Sequence, residues 1–351
     1  MKTLRVNIPS REYDIKIEKG LLDKAGALTA NVSSPCKAAV VSDSNVAPLY
    51  AERLMSSLKA AGFDPFLITV PHGESSKSIG QLEFLYQKLL EQKITRSDII
   101  IALGGGVVGD LTGFCASTLL RGIPFVQIPT TLLAQVDSSV GGKVAVNLPM
   151  GKNLVGAFYQ PKLVIIDPDC LTTLSDKIFA DGMAEIIKYG VILDQDFFET
   201  LESSPSRAAV MEIIEDIIYR SCDLKRIVVE ADEHDLGGRM ILNFGHTFGH
   251  AIEKKYHFSG YTHGEAVAVG MVMAAHYGEG LGITQNGTEK RIRSLVSAFN
   301  LPQDVEIDAS SLSDAIAVDK KGKGSKVSLI LPEKIGKVII KDVEKNSIWI
   351  K

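Results

Sequence analysis

The chain has 351 residues, of which 45% are hydrophobic and 23% charged, and its formal net charge is -4 at pH 7. This length suits about two domains, and the composition is ordinary for a soluble globular protein. A small acidic excess argues against a nucleic-acid-binding surface, so we expect no nucleic-acid partner. No apolar run approaches the roughly 18 residues of a membrane span, so we also expect no membrane partner.

Two features predict a cytoplasmic location. The first twenty residues lack the apolar core of a secretory signal peptide. Cys36, Cys115, Cys170 and Cys222 lie far apart in the sequence and form no CxxC pattern. We therefore expect buried free thiols in a reducing compartment.

The first half of the chain alternates between short apolar runs and amphipathic segments. This alternation is typical of βαβ units that build a mostly parallel sheet. The pattern predicts helices over 47–61 and 79–92, and strands over 37–43, 66–70, 98–103, 125–128 and 163–167.

A glycine-rich segment follows the third of these strands. Gly104, Gly106 and Gly109 satisfy GxGxxG between a predicted strand and a predicted helix. Glycines allow backbone N–H groups and a helix N-terminus to approach a pyrophosphate, although a tight turn without a ligand is the alternative. An ordinary Rossmann loop lies in the first βα unit, whereas this one lies in the third. The best ribose-binding acid, Asp43, precedes the glycines, so we expect a related sheet with a different order of elements.

The pattern changes near residues 168–175, after which helical periods dominate. We predict an N-terminal α/β domain over 1–174 with a Rossmann-like, mostly parallel sheet, and a mainly α-helical C-terminal domain over 175–351. A cleft between domains is a common place for a small-molecule site. The second half has predicted strands at 326–331 and 337–340, and predicted helices at 182–193, 207–230, 245–256 and 264–279.

The segment RMILNFGHTFGH carries the strongest chemical signal. Its Arg239, Asn243, His246 and His250 are spaced by 4, 3 and 4 residues, so one continuous helix would project all four side chains from one face. Such a face would suit a metal ion and an anionic ligand, whereas solvent-facing histidines are the plainer alternative. His263 supplies a further imidazole.

Several further motifs accompany these two segments. The full set is DSN at 43–45, PHGE at 71–74 with Lys77, GGGVVGDLTGF at 104–114, the segment 121–147, GMAEIIKYG at 182–190, and the NFGHTFGH and HGEAVAVG segments. Together these motifs resemble the 3-dehydroquinate synthases, a branch of the sugar phosphate cyclases that shares its fold with glycerol dehydrogenases and iron-dependent alcohol dehydrogenases. The resemblance covers nearly the whole chain. Val144 stands where a threonine is expected, and we attach no functional meaning to that change.

The resemblance implies that Glu185, His246 and His263 bind one divalent metal ion per subunit, Zn²⁺ or Co²⁺. One carboxylate and two imidazoles suit zinc and leave coordination positions open for substrate hydroxyls. The residues alone do not distinguish Glu185 from nearby Asp181, and the match to GMAEIIKYG selects Glu185. The C-terminal domain is accordingly expected to be the metal-binding one.

The resemblance also implies that the N-terminal domain binds NAD, with Asp43 at or near the adenosine ribose. Thr130 and Thr131 follow Pro129, so their hydroxyls are expected at the carboxyl edge of the sheet, as helix caps, or both. The implied NAD contacts are Asp43, Asn45, His72, Gly73, Glu74, Ser75, Ser76, Lys77, Gly105, Gly106, Val107, Val108, Gly109, Asp110, Thr130, Thr131, Asp137, Ser138, Lys143, Lys152, Cys170, Leu171, Thr172 and Thr173.

The implied substrate is a sugar acid phosphate, 3-deoxy-D-arabino-heptulosonate 7-phosphate, and the implied product is 3-dehydroquinate of the shikimate pathway. Lys188, Asn243 and His250 are the implied catalytic residues, with His250 the candidate for proton transfer. A homodimer is also implied, in which Arg121 reaches the partner's site. The implied substrate contacts are Arg121, Lys143, Lys152, Asn153, Lys188, Arg239, Asn243, His250, Lys320 and Lys321.

Three other functions remain open from the sequence. A sugar phosphate cyclase of secondary metabolism would act on a substrate that lacks the carboxylate, and the expected carboxylate binders Lys143 and Arg239 argue against it. A polyol dehydrogenase with net NAD turnover would generally have an aspartate in place of Glu185. A non-catalytic NAD-binding sensor with a structural zinc would need four protein ligands, whereas three are apparent.

Overall fold

The computed structural model describes residues 1–256, 260–306, 326–344 and 348. The predicted substrate residues Lys320 and Lys321 lie outside these ranges. The chain forms two compact units, one made of Met1–Leu174 with Lys225–His234 and the other of Ser175–Leu224 with Asp235–Lys351. The segment 225–234 therefore groups with the first unit, although the predicted two-domain division counts it in the second half.

The first unit contains nine strands and four α-helices among its described residues. In chain order they are β1 (Lys2–Val6), β2 (Tyr13–Ile17), α1 (Ala25–Ala30), β3 (Lys37–Asp43), α2 (Ala47–Ala60), β4 (Asp64–Val70), α3 (Ile79–Glu91), β5 (Ile99–Gly104), α4 (Gly106–Thr118), β6 (Phe125–Pro129), β7 (Lys143–Leu148), β8 (Gly151–Phe158) and β9 (Leu163–Ile166).

Seven of these strands form one sheet in the order β1-β2-β9-β6-β5-β3-β4. Only the β1–β2 pair is antiparallel, which confirms the predicted mostly parallel sheet. Both faces are covered, because Val41 of β3 joins a cluster with Leu111 of α4, whereas Val40 joins another with Leu54 of α2. Burial on both faces explains why the central strands read as continuous apolar runs.

The remaining two strands form a separate antiparallel hairpin, β7–β8. The hairpin packs on α4, where a Cβ added to Gly113 would lie 2.4 Å from Cγ1 of Val144. Val144 is buried in this contact. The residue that departs from the family pattern thus packs in the core of the first unit.

The second unit is mainly helical, as predicted. Its elements are α5 (Asp176–Leu193), α6 (Gln195–Glu202), α7 (Arg207–Glu212), α8 (Ile214–Ala231), α9 (His246–Lys255), α10 (His263–Gly280), α11 (Thr288–Ala298), β10 (Lys326–Lys334) and β11 (Lys337–Glu344). Strands β10 and β11 pair as an antiparallel hairpin, and the last residues of α8 belong to the first unit.

The continuous helix that the spacing of Arg239, Asn243, His246 and His250 suggests is wrong. A 3-10 turn, Gly238–Asn243, is separated from α9 by an extended Phe244 and a left-handed Gly245 with φ 78°. The predicted helix over 207–230 is likewise two helices, interrupted at Ile213.

The break at Gly245 has a packing cause. A Cβ at Gly245 would lie 2.7 Å from Cγ of Met271 and 2.8 Å from the carbonyl oxygen of Val267. The chain therefore enters α9 directly against α10, in a conformation that glycine adopts with little strain. Phe244 is completely buried beside it, which fixes the start of α9.

Two further expectations concern the whole chain. The four cysteines are free thiols; Cys115, Cys170 and Cys222 are buried, whereas Cys36 is half-buried. Among the described residues, no helix is both long enough and apolar enough to cross a membrane.

Candidate functional site

Three candidate metal ligands converge in the second unit. Glu185 lies in the middle of α5, while His246 and His263 are the first residues of α9 and α10. The Nε2 atoms of His246 and His263 lie 3.7 and 3.6 Å from Oε1 of Glu185. One ligand atom from each residue lies within 4.8 Å of the other two.

These separations fit a small divalent ion. Ligands about 2.1 Å from a tetrahedral zinc ion lie about 3.4 Å from one another, close to both nitrogen–oxygen distances given above. Two imidazoles and one carboxylate are also a donor set that zinc accepts while a fourth position remains open for a substrate. The geometry therefore supports the predicted ligands, including the choice of Glu185 over Asp181.

The start of α10 is fixed by a capping box. The Thr262 hydroxyl accepts a hydrogen bond from the Glu265 N–H at 3.3 Å, and the Glu265 carboxylate accepts one from the Thr262 N–H at 2.8 Å. Asp181, one turn before Glu185 on α5, accepts the Gly264 N–H at 2.5 Å. These bonds hold His263 at a defined position relative to Glu185.

Lys188 completes the surroundings of the Glu185 carboxylate. Its ammonium group forms a short ion pair with Oε2 of Glu185, and both side chains are at most 2% exposed. The second carboxylate oxygen is therefore held by Lys188, whereas Oε1 faces the two histidines. The predicted catalytic lysine lies in the cluster and orients one of its ligands.

The electrostatic environment differs between the two histidines. Burial lowers the pKa of His246 to about 3, and the nearby positive charge of Lys188 acts in the same direction. Burial also lowers the pKa of His263, but the carboxylates of Glu185 and Glu253 outweigh it and raise the value to about 10. The cluster thus favours positive charge between these carboxylates, and a metal ion bound there would displace a proton.

His250 lies beside the candidate ligands, as predicted. Its ring centre is 5.5 Å from that of His246 and 6.4 Å from that of His263. The residue is exposed and so accessible to a bound molecule. Arg239 and Asn243 instead lie on the preceding 3-10 turn, where Arg239 is only 3% exposed.

In the first unit, the glycine loop packs against two other candidate cofactor residues. A Cβ at Gly105 would lie 3.0 Å from Cγ2 of Thr131, and one at Gly106 would lie 3.0 Å from the hydroxyl of Ser138. Gly105 is the N-cap residue of α4, so the first N–H groups of this helix lie at the loop and have no acceptor within the helix. The structure therefore brings the loop, Thr131 and Ser138 together as a surface suited to a phosphate.

The two threonines after β6 have different partners. The hydroxyl of Thr131 accepts a hydrogen bond from the Ala134 N–H at 3.2 Å and caps the turn that follows, as predicted. The hydroxyl of Thr130 is buried and has no hydrogen-bond partner within the part of the chain that the structure describes. Buried hydroxyls usually have partners, so a ligand at this edge of the sheet would satisfy Thr130.

Further candidates meet at the carboxyl ends of the parallel strands. Oδ1 of Asp43 accepts the N–H groups of Asn45 and Val46 at 2.8 and 3.0 Å, so this carboxylate also shapes the loop before α2. After β4, Lys77 forms a short ion pair with Asp110 of α4. The predicted cofactor residues around β3, β4 and β5 therefore lie at one edge of the sheet.

The hairpin β7–β8 carries three of the predicted substrate residues. Lys143 begins β7, and Lys152 and Asn153 lie at the start of β8. Asn147, which sequence reasoning missed, accepts the Asn153 N–H at 2.8 Å and donates to Glu74 at 2.7 Å. It thereby connects the hairpin to the turn after β4 that contains Glu74.

The segment 170–173 belongs to a 3-10 turn after β9. The Tyr50 hydroxyl of α2 lies 2.6 Å from the hydroxyl of Thr173 and donates to the carbonyl of Cys170 at 3.1 Å. The side chains of Cys170 and Leu171 are buried in the protein. Any contact of these two residues with a cofactor is therefore expected through the backbone.

Arg121 lies apart from the other candidates of its own unit. It follows the C-terminal end of α4, whose 13 residues separate it from the glycine loop by roughly 20 Å. Arg121 and Leu120 both have positive φ, 67° and 51°, and Arg121 is exposed. The structure does not bring Arg121 to the glycine loop of the same chain.

Lys225 is a second residue that the sequence did not reveal. Its ammonium group donates to Oδ1 of Asp137 at 2.8 Å and to the Asp137 carbonyl at 2.6 Å. Lys225 is 5% exposed. A lysine on an amphipathic helix gives no local sign of a partner 88 residues earlier, so only the folded structure identifies it.

Comparison with protein families gives two consecutive matches. Residues 67–181 match the 3-dehydroquinate synthase N-terminal family, and residues 182–322 match the 3-dehydroquinate synthase C-terminal family. Together the matches cover more than half of the chain and contain the glycine loop and all three candidate metal ligands.

Individual proteins agree with this result. A 3-dehydroquinate synthase from Clostridium kluyveri is 47% identical over 350 residues, which cover 99% of this chain and 98% of that protein. A solved structure of 2-deoxy-scyllo-inosose synthase with carbaglucose-6-phosphate, NAD⁺ and Co²⁺ is 26% identical, with a TM-score of 0.89 over 98% of this chain and 97% of that one. A solved structure of 2-epi-5-epi-valiolone synthase from Streptomyces hygroscopicus, with NAD⁺ and Zn²⁺ bound, is also 26% identical. Its TM-score is 0.87, over 95% of this chain and 94% of that one. The chain belongs to the 3-dehydroquinate synthase family.

Proposed function

We propose that this chain is a phosphate-eliminating lyase that converts 3-deoxy-D-arabino-heptulosonate 7-phosphate to 3-dehydroquinate and phosphate. The observation that carries the proposal is the convergence of Glu185, His246 and His263, with Lys188 on the remaining carboxylate oxygen. It occurs in a chain whose family and relatives are 3-dehydroquinate synthases. The reaction belongs to the shikimate pathway of aromatic amino acid biosynthesis.

Glu185, His246 and His263 would hold one Zn²⁺ or Co²⁺ per subunit. The edge of the sheet around Asp43, the glycine loop and Thr130 would hold NAD. The bound metal would supply polarisation of a substrate hydroxyl, and NAD would accept and return one hydride. Oxidation, phosphate elimination, re-reduction and aldol closure would then leave NAD unchanged. Structural relatives bind NAD⁺ together with Co²⁺ or Zn²⁺, which supports both assignments.

The cationic residues would bind the two anionic groups of the substrate. Arg239 and Lys143 are assigned to the carboxylate, since a guanidinium can hold a carboxylate through two hydrogen bonds. His250, exposed beside the candidate ligands, would transfer a proton, and Asn243 and Lys188 would orient the substrate around it. Positioning one substrate among these groups would supply a large part of the catalysis.

The proposal includes a homodimer that acts in the cytoplasm. Arg121 lies roughly 20 Å from the glycine loop of its own chain, at the opposite end of α4. An exposed arginine in a left-handed turn there is well placed to enter the site of a second copy. The proposed site would then be complete only in the dimer.

Metal removal tests the proposal. Phosphate release from the heptulosonate phosphate should stop after chelation and return with Zn²⁺ or Co²⁺. His263→Ala should lose metal and activity while the first unit stays folded. Its loss of metal affinity should exceed the about 10- to 100-fold loss that follows mutation of a residue that contacts only a metal ligand. His276→Ala, an exposed histidine on the same helix, should retain both. Full activity in a verified metal-free preparation would refute the metal site.

A further inference from the structure

His263 lies between two buried carboxylates that come from different helices. Its Nε2 is 3.6 Å from Oε1 of Glu185 on α5, and its Nδ1 is 3.8 Å from Oε1 of Glu253 on α9. Glu253 is 4% exposed. The two ring nitrogens of His263 thus face two different acids, of which only Glu185 belongs to the candidate ligand set.

A histidine that binds a metal through one nitrogen keeps its proton on the other, and the acceptor of that proton fixes the ring. His246 already has such an acceptor, because its Nδ1 lies 3.0 Å from the carbonyl oxygen of Phe244. Glu253 occupies the equivalent position beside His263. A movement of less than about 1 Å would bring its oxygen within hydrogen-bond distance of Nδ1.

The burial of Glu253 also calls for an electrostatic cause. Glu253 is buried on α9, whereas the next residue, Lys254, is exposed. A buried carboxylate is stable only where charged or hydrogen-bonding groups surround it. The imidazole of His263 supplies such a group.

We propose that Glu253 is a positioning residue of the metal site. Its carboxylate accepts the Nδ1 proton of His263, holds the ring so that Nε2 points to the ion, and makes that nitrogen a stronger ligand. The inference rests on the proposed function, since it requires Glu185, His246 and His263 to hold the metal. Glu253 itself does not touch the ion or the substrate in this arrangement.

The test compares Glu253→Gln with Lys254→Gln, a neutral substitution at the adjacent exposed position. Zinc affinity is measured by competition with a chromophoric chelator, and the ligand field by the visible spectrum of the Co²⁺-loaded protein. Glu253→Gln should raise the Kd for zinc about 10- to 100-fold and shift the cobalt bands, because it removes the negative charge beside Nδ1 of His263, and substitution of such a partner has effects of this size. Lys254→Gln should leave both unchanged.

A double-mutant comparison separates positioning from a general structural effect. In a His263→Ala background, Co²⁺ is titrated at the high concentrations needed to occupy the weakened site. Glu253→Gln should not weaken this residual Co²⁺ binding further, because the carboxylate has lost the imidazole through which it acts. An equal loss in both backgrounds, or an unchanged zinc Kd in the single variant, would overturn the inference. If the glutamine variant does not fold, the zinc Kd of Glu253→Asp is measured instead. A Kd equal to that of wild type would likewise overturn the inference.

These outcomes are distinguishable from failure of the proposed function. If wild type itself binds no zinc, the metal site is wrong. If wild type and both Glu253 variants bind zinc equally tightly, the metal site is supported and only the proposed role of Glu253 is wrong.

Discussion

Substrate choice is expected to depend most directly on one buried guanidinium. Arg239 is 3% exposed on the turn before α9, and a guanidinium can hold a carboxylate through two hydrogen bonds. Arg239→Ala should lower kcat/KM for the heptulosonate phosphate about 30- to 1000-fold, equivalent to about 2–4 kcal/mol. Arg239→Lys should remain impaired, because it keeps the charge and loses the two-pronged geometry.

Sedoheptulose 7-phosphate, which lacks the carboxylate, is the matched control substrate. Wild type should strongly prefer the acid, Arg239→Ala should lose most of that preference, and the Kd for NAD should stay constant. Equal turnover of both substrates by wild type would favour a sugar phosphate cyclase whose substrate lacks the carboxylate.

Cofactor choice is expected to depend on the charge of Asp43. A carboxylate at the end of β3 favours the ribose diol of NAD and repels the 2′-phosphate of NADP. Because Oδ1 of Asp43 also accepts the N–H groups of Asn45 and Val46, Asp43→Asn is the cleaner change: it keeps that oxygen and removes the charge. Calorimetry should show weaker NAD binding and a smaller gap between NAD and NADP. A wild type that binds both equally would exclude this role.

At the scale of elements, the entry into α9 depends on Gly245. An alanine there would adopt φ 78° and place its Cβ 2.7 Å from Met271 and 2.8 Å from Val267. Gly282→Ala is the matched control, because its φ is 68° and nothing lies within 4 Å of an added Cβ. Backbone strain alone costs about 1–2 kcal/mol, and overpacking adds about 1–3 kcal/mol.

Urea unfolding of the two metal-free variants measures this difference. Gly245→Ala should unfold at clearly lower urea than Gly282→Ala, and only Gly245→Ala should also bind zinc more weakly, because His246 follows directly. Equal destabilisation of the two variants would mean that the contact with α10 does not fix the start of α9.

Elements with a strong hydrophobic pattern were predictable, and those with a weak one were not. Strand β3 was predicted at its observed bounds, because both of its faces are buried and it reads as one apolar run. Strands β1 and β2 were missed, since they are short and polar or charged residues occupy every position that is not buried. The turn at Gly245 was missed because helical spacing alone does not show contact with α10.

The candidate site shows the same division. Glu185, His246 and His263 were named from motifs, and the folded chain brings them together. Lys225 and Asn147 were not found, because their contacts with Asp137 and Glu74 join distant parts of the sequence. Long-range pairs of this kind depend on the complete fold.

At the scale of the whole molecule, the proposed dimer makes a quantitative prediction. Arg121→Ala and His263→Ala should each be nearly inactive alone. If Arg121 acts in the partner's site, a mixed dimer of the two variants contains one intact site, so random reassembly of an equal mixture should restore about a quarter of wild-type activity. No recovery after verified subunit exchange would place Arg121 outside the partner's site.

The most direct test of the whole account is the balance of NAD in the reaction. The purified, zinc-loaded chain is supplied with the heptulosonate phosphate and far less NAD than substrate, and phosphate, NADH and 3-dehydroquinate are measured together. The account predicts one phosphate and one 3-dehydroquinate per substrate consumed, with no accumulation of NADH, because the hydride taken up by NAD returns within each turnover. NADH that accumulates in proportion to product, or substrate consumption without phosphate release, would contradict it.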